Sequence, residues 1–449
     1  MQDLQSRKPH SQLSSSYGVF TYLPMVDGLR GIAILLVLWY HAPFLFRDLP
    51  EFSGQQSPWD MLGVIGRMSL GGWIGVDLFF VISGFLITSI LIRLRAEGGS
   101  LWLFWGRRGL RILPLAMLYL SALFALEGLG DPLKMLSHFE GWAWYALYLG
   151  NIHIAIYGWQ PLAVMILWSL AIEEQFYLVW PLLVRACTTR QVLWWSGGLM
   201  VVAPLVRAFT LSAAGYPATY VFTLCRVDAL AAGAVVAVLF GSHAWEAEAV
   251  PLCKRLAPFA LVVMLMTFLV PFSPSLPETK PWFFSVFGYS WIAVSFAILL
   301  GASLDSHGHL GALLKSPVLT FLGRRCYGLY LWHVLIGGVV TVGLQQWRVG
   351  FYVHILLWLA ALLIVASGSW QLFEKPILRL KQFLPYMQEP PERSECKLVA
   401  STVAWWQPVV QPRTSLRFDG PLLRDRRDAN TLHRLPLSTF AAYQLKAAL

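Results

Sequence analysis

Histidines, arginines and paired carboxylates recur where this sequence is most apolar. Arg30 and His41 share the stretch LRGIAILLVLWYHA with ten residues between them. At about 1.5 Å of rise per helical residue they stand roughly 16 Å apart along one axis. Asp77, Glu173, Glu174 and His333 lie inside three further apolar stretches, with Arg226 and Asp228 at the start of a fourth. Ionisable groups within lipid-spanning helices are costly and face a bundle interior, which makes them functional candidates. His41, His333, Asp77 and Glu173 all fall in the middle or outer half of their stretches, a set suited to proton transfer at neutral pH. Asp27, Arg226 and Glu374 sit at expected helix ends, where snorkelling or mutual neutralisation accounts for them equally well. A different chemistry attaches to Arg107, Arg108 and Arg111 in FWGRRGLRILP. Arg108 and Arg111, three apart, share a helix face, and guanidinium forks match phosphate oxygens. The same cluster also reads as an anchor beside lipid headgroups.

These residues need helices to hold them. The chain has 449 residues, 57% hydrophobic and only 13% charged, with a mean hydropathy of +0.59. Soluble chains carry about 25% charged residues, so an ordinary soluble enzyme, a disordered chain and a nucleic-acid binder are all excluded. Stretches long enough to span a bilayer fall near 26–46, 70–92, 110–128, 166–185, 192–212, 227–241, 256–272, 282–303, 326–345 and 350–372. The aromatic segment 139–160 is an eleventh span or a re-entrant or interfacial piece. With ten spans and cytoplasmic termini, seventeen Lys/Arg up to residue 381 fall inside and five fall outside. An eleventh span would reverse the later clusters, so the positive-inside rule selects ten. The expected fold is an all-α polytopic membrane protein, ten helices around a polar central cavity, with both termini cytoplasmic.

The polar segment 1–24 precedes the first span and has no cleavable signal pattern. The bundle is expected over 25–381. From 386 the sequence turns polar and charge-dense, and reads as a poorly ordered cytoplasmic tail. The five cysteines show no paired spacing, so neither a disulfide framework nor a metal site is indicated.

Seven segments in order resemble the acyltransferase 3 family of membrane O-acyltransferases. They are VDGLRGIAILLVLWYHA at 26–42, GWIGVDLFFVISGFLIT at 72–88, FWGRRGLRILP at 104–114, WSLAIEEQFYLVWPLL at 168–183, CRVDALAAGAVVAVL at 225–239, FLGRRCYGLYLWH at 321–333 and FEKP at 373–376. The resemblance implies transfer of an acyl group, commonly acetyl from acetyl-CoA, to a carbohydrate hydroxyl. It implies that Arg30 and His41 form the family's Arg–His motif, with His41 the leading catalytic residue. It also implies that Arg108 and Arg111 face the coenzyme, which favours the phosphate reading over the anchor. Glu173 and Glu174 match the paired glutamates, Tyr330, Trp332 and His333 the late signature, and Glu374 the closing motif. Trp168, Arg226 and Asp228, with Tyr330 and Trp332, are the expected acceptor-binding residues.

The implied partners are an acyl-CoA co-substrate, a carbohydrate or glycosylated acceptor and the bilayer of the inner membrane, with no tightly bound cofactor and no nucleic acid. Some members carry a hydrolase-like SGNH domain after an extra span. The segment from 386 is too short for one, so a second transfer step implies a separate partner. Cys326 stands where the family usually has serine. On this reading His41, oriented by Asp77 or Glu173, deprotonates the acceptor or carries the acyl group itself. The competing class is a transporter or flippase for a lipid-linked glycan, which buried charges also fit. Against it, no interrupted span pairs or repeats are visible.

Overall fold

The computed structural model describes residues 23–46, 63–136, 139–241, 243–269, 282–304, 309–344, 347 and 349–384, and among them no strand occurs. The segment expected over 1–24 lies outside the described residues except for its last two. The tail expected from 386 lies outside them entirely. Among the described residues, ten helices are long and apolar enough to cross a membrane. They are Pro24–Leu45, Gly66–Ala96, Leu101–Gly128, Leu162–Ala186, Thr189–Val221, Thr223–Phe240, Glu248–Phe268, Phe284–Leu304, Pro317–Leu344 and Phe351–Phe383.

Each overlies one expected span, and several run further than the apolar stretch. Helical hydrogen bonding continues through polar turns that hydropathy does not count. The third helix therefore begins at Leu101, with Arg107, Arg108 and Arg111 inside it. The fifth starts on a capping box, in which Thr188 Oγ1 accepts from Gln191 N and Gln191 Oε1 accepts from Thr188 N. It bends where Gly215 takes φ 76°, a left-handed conformation that glycine tolerates.

Residues 139–160 form no eleventh span. They fold into two short helices, Trp142–Ala146 and Gly150–Tyr157, interrupted at Tyr148 (φ 57°) and ended at Gly158 (φ 83°). Eight helical residues rise only about 12 Å, against the roughly 30 Å of a hydrocarbon core. Such irregular backbone must find its partners within the protein. Glu127 accepts from Phe139 N (2.5 Å) and Trp142 Nε1 (2.7 Å). Gln175 Nε2 donates to Tyr148 O and Asn151 Oδ1, both at 2.9 Å. Asn151 Nδ2 in turn donates to Val221 O (3.2 Å) and Thr223 Oγ1 (2.9 Å). The segment is thus fastened to the third, fourth, fifth and sixth helices.

The bundle is organised around two glycine crossings. Gly31 of the first helix abuts the Leu319 carbonyl, and Gly323 of the ninth abuts the Asp27 carbonyl. Gly84 of the second meets the Leu230 carbonyl of the sixth, and Gly233 of the sixth meets that of Val81. A Cβ at any of the four would overlap backbone. Small residues that let backbones touch are the usual basis of helix association in lipid. Gly31→Val and Gly84→Val are therefore expected to cost at least about 1–3 kcal/mol each, lowering the thermal-unfolding midpoint in detergent. Gly197→Ala, on the fifth helix with open space around it, serves as the control that leaves the midpoint unchanged or raises it. Fluorescence-detected thermal unfolding of the three variants checks this.

Candidate active site

His41 lies near the end of the first helix, one turn after Val37, whose carbonyl is 2.9 Å from its Nδ1. A carbonyl only accepts, so this bond puts the proton on Nδ1 and leaves Nε2 as the lone-pair nitrogen of the neutral ring. His333, on the ninth helix, makes the same kind of bond, Nδ1 to Tyr330 O at 2.5 Å. Its Nε2 is buried with no hydrogen-bond partner among the described residues. The two imidazole centroids are 4.8 Å apart. His41 opens onto a cavity of about 580 Å³ whose walls include Tyr40, Trp73, Trp159, Trp168 and Tyr220, with Lys134 in the loop beside it. Aromatic faces with a few polar groups are the ordinary lining of a small-ligand site.

A second cavity, of about 110 Å³, holds Arg30, Arg108, Arg111 and Glu173. Arg30 is paired with Asp27 at 3.2 Å. Among the described residues, no carboxylate lies within ion-pair distance of Arg108 or Arg111. The Arg108 guanidinium sits 5.5 Å from the Tyr177 ring centroid. Tyr177 OH donates to Glu173 Oε2 at 3.2 Å and also bonds Ser83 Oγ. The third arginine of the cluster has another task, since Arg107 Nη1 donates to the carbonyls of Lys381 (3.1 Å) and Leu384 (2.7 Å) and fastens the end of the tenth helix. The i, i+3 spacing thus separates two cavity arginines from a structural one.

The expected convergence of His41, His333, Asp77 and Glu173 divides into three places. The histidines pair with each other, Glu173 belongs to the arginine cavity, and Asp77 Oδ1 is bonded to Arg226 Nη2 at 2.7 Å. Orientation of His41 by Asp77 or Glu173 gives way to orientation by the Val37 carbonyl, because the helix's own backbone lies within reach of Nδ1. Arg226 is fully buried, not snorkelling at a helix end. Its guanidinium lies 4.3 Å from the Tyr289 ring centroid and 5.0 Å from that of Tyr220.

Asp228 pairs with Arg207 at 2.9 Å, and Ser290 bridges the two, accepting from Arg207 Nη2 and donating to Asp228 Oδ2. Of the expected acceptor-binding residues, Trp168 and Tyr330 line the large cavity, whereas Arg226 and Asp228 stand behind its wall. Trp332 packs on Tyr119 with its Nε1 unpartnered. Glu174 lines neither cavity, and its charge adds to burial in pushing the Tyr148 phenol upward. Glu374 is buried, accepting from Ser369 Oγ at 3.3 Å.

The acyltransferase domain of the acyltransferase 3 family matches residues 24–374. The chain belongs to that family. YrhL of Bacillus subtilis, provisionally named a peptidoglycan O-acetyltransferase, is 31% identical over 376 residues, 79% of this chain and 55% of that one. The peptidoglycan O-acetyltransferase OatA of Listeria monocytogenes is 27% identical over 389 residues, 82% of this chain and 57% of that one. The chain spans a little over half the length of these curated relatives. No solved structure gives a significant match.

The family match begins at the first helix and ends on Glu374, so both cavities fall within it. Arg207 is the buried charge the sequence reading passes over. Its signal is an arginine deep in an expected span, assigned to neither side of the membrane. The cavity residues Trp73, Trp159 and Tyr220 had no comparable signal, since isolated aromatics are common in a chain with 21 tryptophans. Breaking a buried pair leaves one charge uncompensated. Asp77→Leu or Arg226→Met alone is expected to cost about 3–5 kcal/mol, and the double variant to recover part of that loss. Thermal unfolding of the two single variants and the double variant checks this.

Proposed function

We propose that the protein is a membrane O-acetyltransferase that moves acetyl from acetyl-CoA to a hydroxyl of an envelope polysaccharide. The observation that carries the reading is an imidazole, held at Nδ1 by the Val37 carbonyl, in the wall of the large aromatic cavity, beside a second cavity with two arginines that have no carboxylate partner among the described residues. Family membership supplies the reaction class. The names of the relatives in Bacillus and Listeria point to peptidoglycan as the kind of acceptor.

In this mechanism the coenzyme's phosphates rest on Arg108 and Arg111, and its acyl arm extends toward His41. The acceptor sugar lies in the aromatic cavity, where ring faces stack on sugar faces. Nε2 of His41 takes the proton of the acceptor hydroxyl as its oxygen attacks the thioester carbonyl. The tetrahedral intermediate collapses by breaking the C–S bond, and the coenzyme leaves as thiolate, which then takes up the proton. The Nδ1–H bond to Val37 holds the ring in the tautomer this requires and stabilises the charge that forms on it. By the positive-inside rule the arginine cavity faces the cytoplasm, where acetyl-CoA is made, in a multi-pass protein of the cell membrane.

His41→Ala is expected to abolish acetyl transfer, with size-exclusion profile and thermal midpoint kept near those of the parent. Acetyl-CoA at a hundredfold excess over its dissociation constant should stabilise the folded state by about 2.7 kcal/mol. Arg108→Ala and Arg111→Ala should remove that gain. A well-folded sample with no response to acetyl-CoA would count against the donor assignment and favour a transporter.

A further inference from the structure

Two side chains, Val76 and Tyr330, line both cavities. Valine is stiff at its one side-chain torsion and moves little volume when it turns. Tyr330 is a long ring hinged on two torsions. We infer that Tyr330 is a movable septum between the arginine cavity and the His41 cavity, a positioning residue whose swing admits the donor's acyl arm. The inference rests on the proposed function for what the two cavities hold, but the partition itself stands on the geometry.

The hydroxyl of Tyr330 is a latch with one half in each compartment. It lies 2.7 Å from Ile166 O, which can only accept, so the phenol donates there. Ser169 Oγ, also 2.7 Å away, then donates to the phenol oxygen. Ile166 belongs to the large cavity and Ser169 to the arginine cavity. The ring meets Phe79 edge-on, with centroids 6.5 Å apart. Acyl transfer requires the reacting atoms to approach within about 3–3.5 Å, yet the arginines and His41 line different cavities, and this ring belongs to both. A coenzyme held by Arg108 and Arg111 therefore has to pass Tyr330 to deliver its acyl carbon. The backbone carbonyl of Tyr330 also holds Nδ1 of His333, whose ring lies against His41. The latch and His333 thus share one helical turn, and His333 carries the contact to His41.

The chain carries its own reporter, because Cys326 lines the arginine cavity as a free thiol. Cys187, Cys225, Cys253 and Cys396 are replaced by alanine, and the protein is sealed into vesicles. The anionic thiol reagent 2-sulfonatoethyl methanethiosulfonate is then applied to one face at a time. With Tyr330 in place, Cys326 is expected to react from the face of the arginine cavity and only slowly from the other. Tyr330→Phe keeps the ring and loses the latch, and should speed reaction from the second face about fivefold, the population change one net hydrogen bond allows. Tyr330→Ala should speed it further, with the first-face rate unchanged in both variants.

Unaltered asymmetry in both variants, an equal rise from both faces, or no reaction from either face would each overturn the inference. If Tyr330→Ala does not fold, the phenylalanine variant decides. Acetyl-CoA binding measured on the same vesicles keeps the two readings apart. A shift in labelling without acetyl-CoA binding upholds the septum and removes the donor assignment.

Discussion

Where Gly31 and Gly323 lie against the carbonyls of Leu319 and Asp27, the first and ninth helices touch backbone to backbone, and the register of that contact governs what lies further along the pair. His41 follows Gly31 by ten residues, and His333 follows Gly323 by ten. Both imidazoles therefore stand about 15 Å beyond the crossing, level with each other, and their centroids come within 4.8 Å. A side chain at either glycine would push the helices apart or slide them, and the rings would part with them. Lipid offers little hydrophobic force to draw apolar helices together, so close packing through small residues has to supply the register.

The second and sixth helices repeat the device. Gly84 and Gly233 set their crossing, and Asp77 and Arg226 each precede their own glycine by seven residues, again level with each other. The crossing thus delivers the partner that an aspartate in a spanning helix requires. Arg207 and Asp228 extend the charge network to the fifth and eighth helices through Ser290. Two buried pairs are expensive to desolvate. Their position gives them a use, because Trp168 and Tyr220 line the large cavity and the Arg226 guanidinium lies 5.8 and 5.0 Å from their ring centroids. The network stiffens the wall on which a ligand would rest.

The ten helices were legible because length and hydropathy measure what a bilayer demands. The fate of 139–160 was legible through charge, since an eleventh span would have reversed the later arginines. Arg108 and Arg111 could be set on one face by spacing alone, as the helix fixes that geometry locally. The partners of Asp77 and Glu173 were not legible. Depth along a helix can be counted, but the neighbour that a helix face meets depends on crossings between segments distant in sequence, as with Asp77 and Arg226, 149 residues apart. Those crossings hang on single glycines in a chain that has 36. Nor could the orienting role of Val37 be read, because a backbone carbonyl one turn back leaves no trace in side-chain pattern.

If the donor is the proposed thioester, two cavities that share one aromatic ring also bear on how it would be protected. A thioester is prone to hydrolysis, and the histidine that activates an alcohol can activate water as well. An open channel would bring donor, base and solvent together before any acceptor arrived. On the proposed function, Tyr330 between the cavity of the arginines and the cavity of His41 would keep the base from the acyl carbon until the ring moved. Sterics alone would make such a divider too loose, and a deeply satisfied polar network would make it too fixed. A phenol joined to one carbonyl and one hydroxyl lies between those limits, since each neutral hydrogen bond is worth only about 0.5–1.5 kcal/mol net. With acetyl-CoA as the proposed donor, such an opening would be within reach of the binding energy that a large coenzyme supplies at a distance from its reacting end.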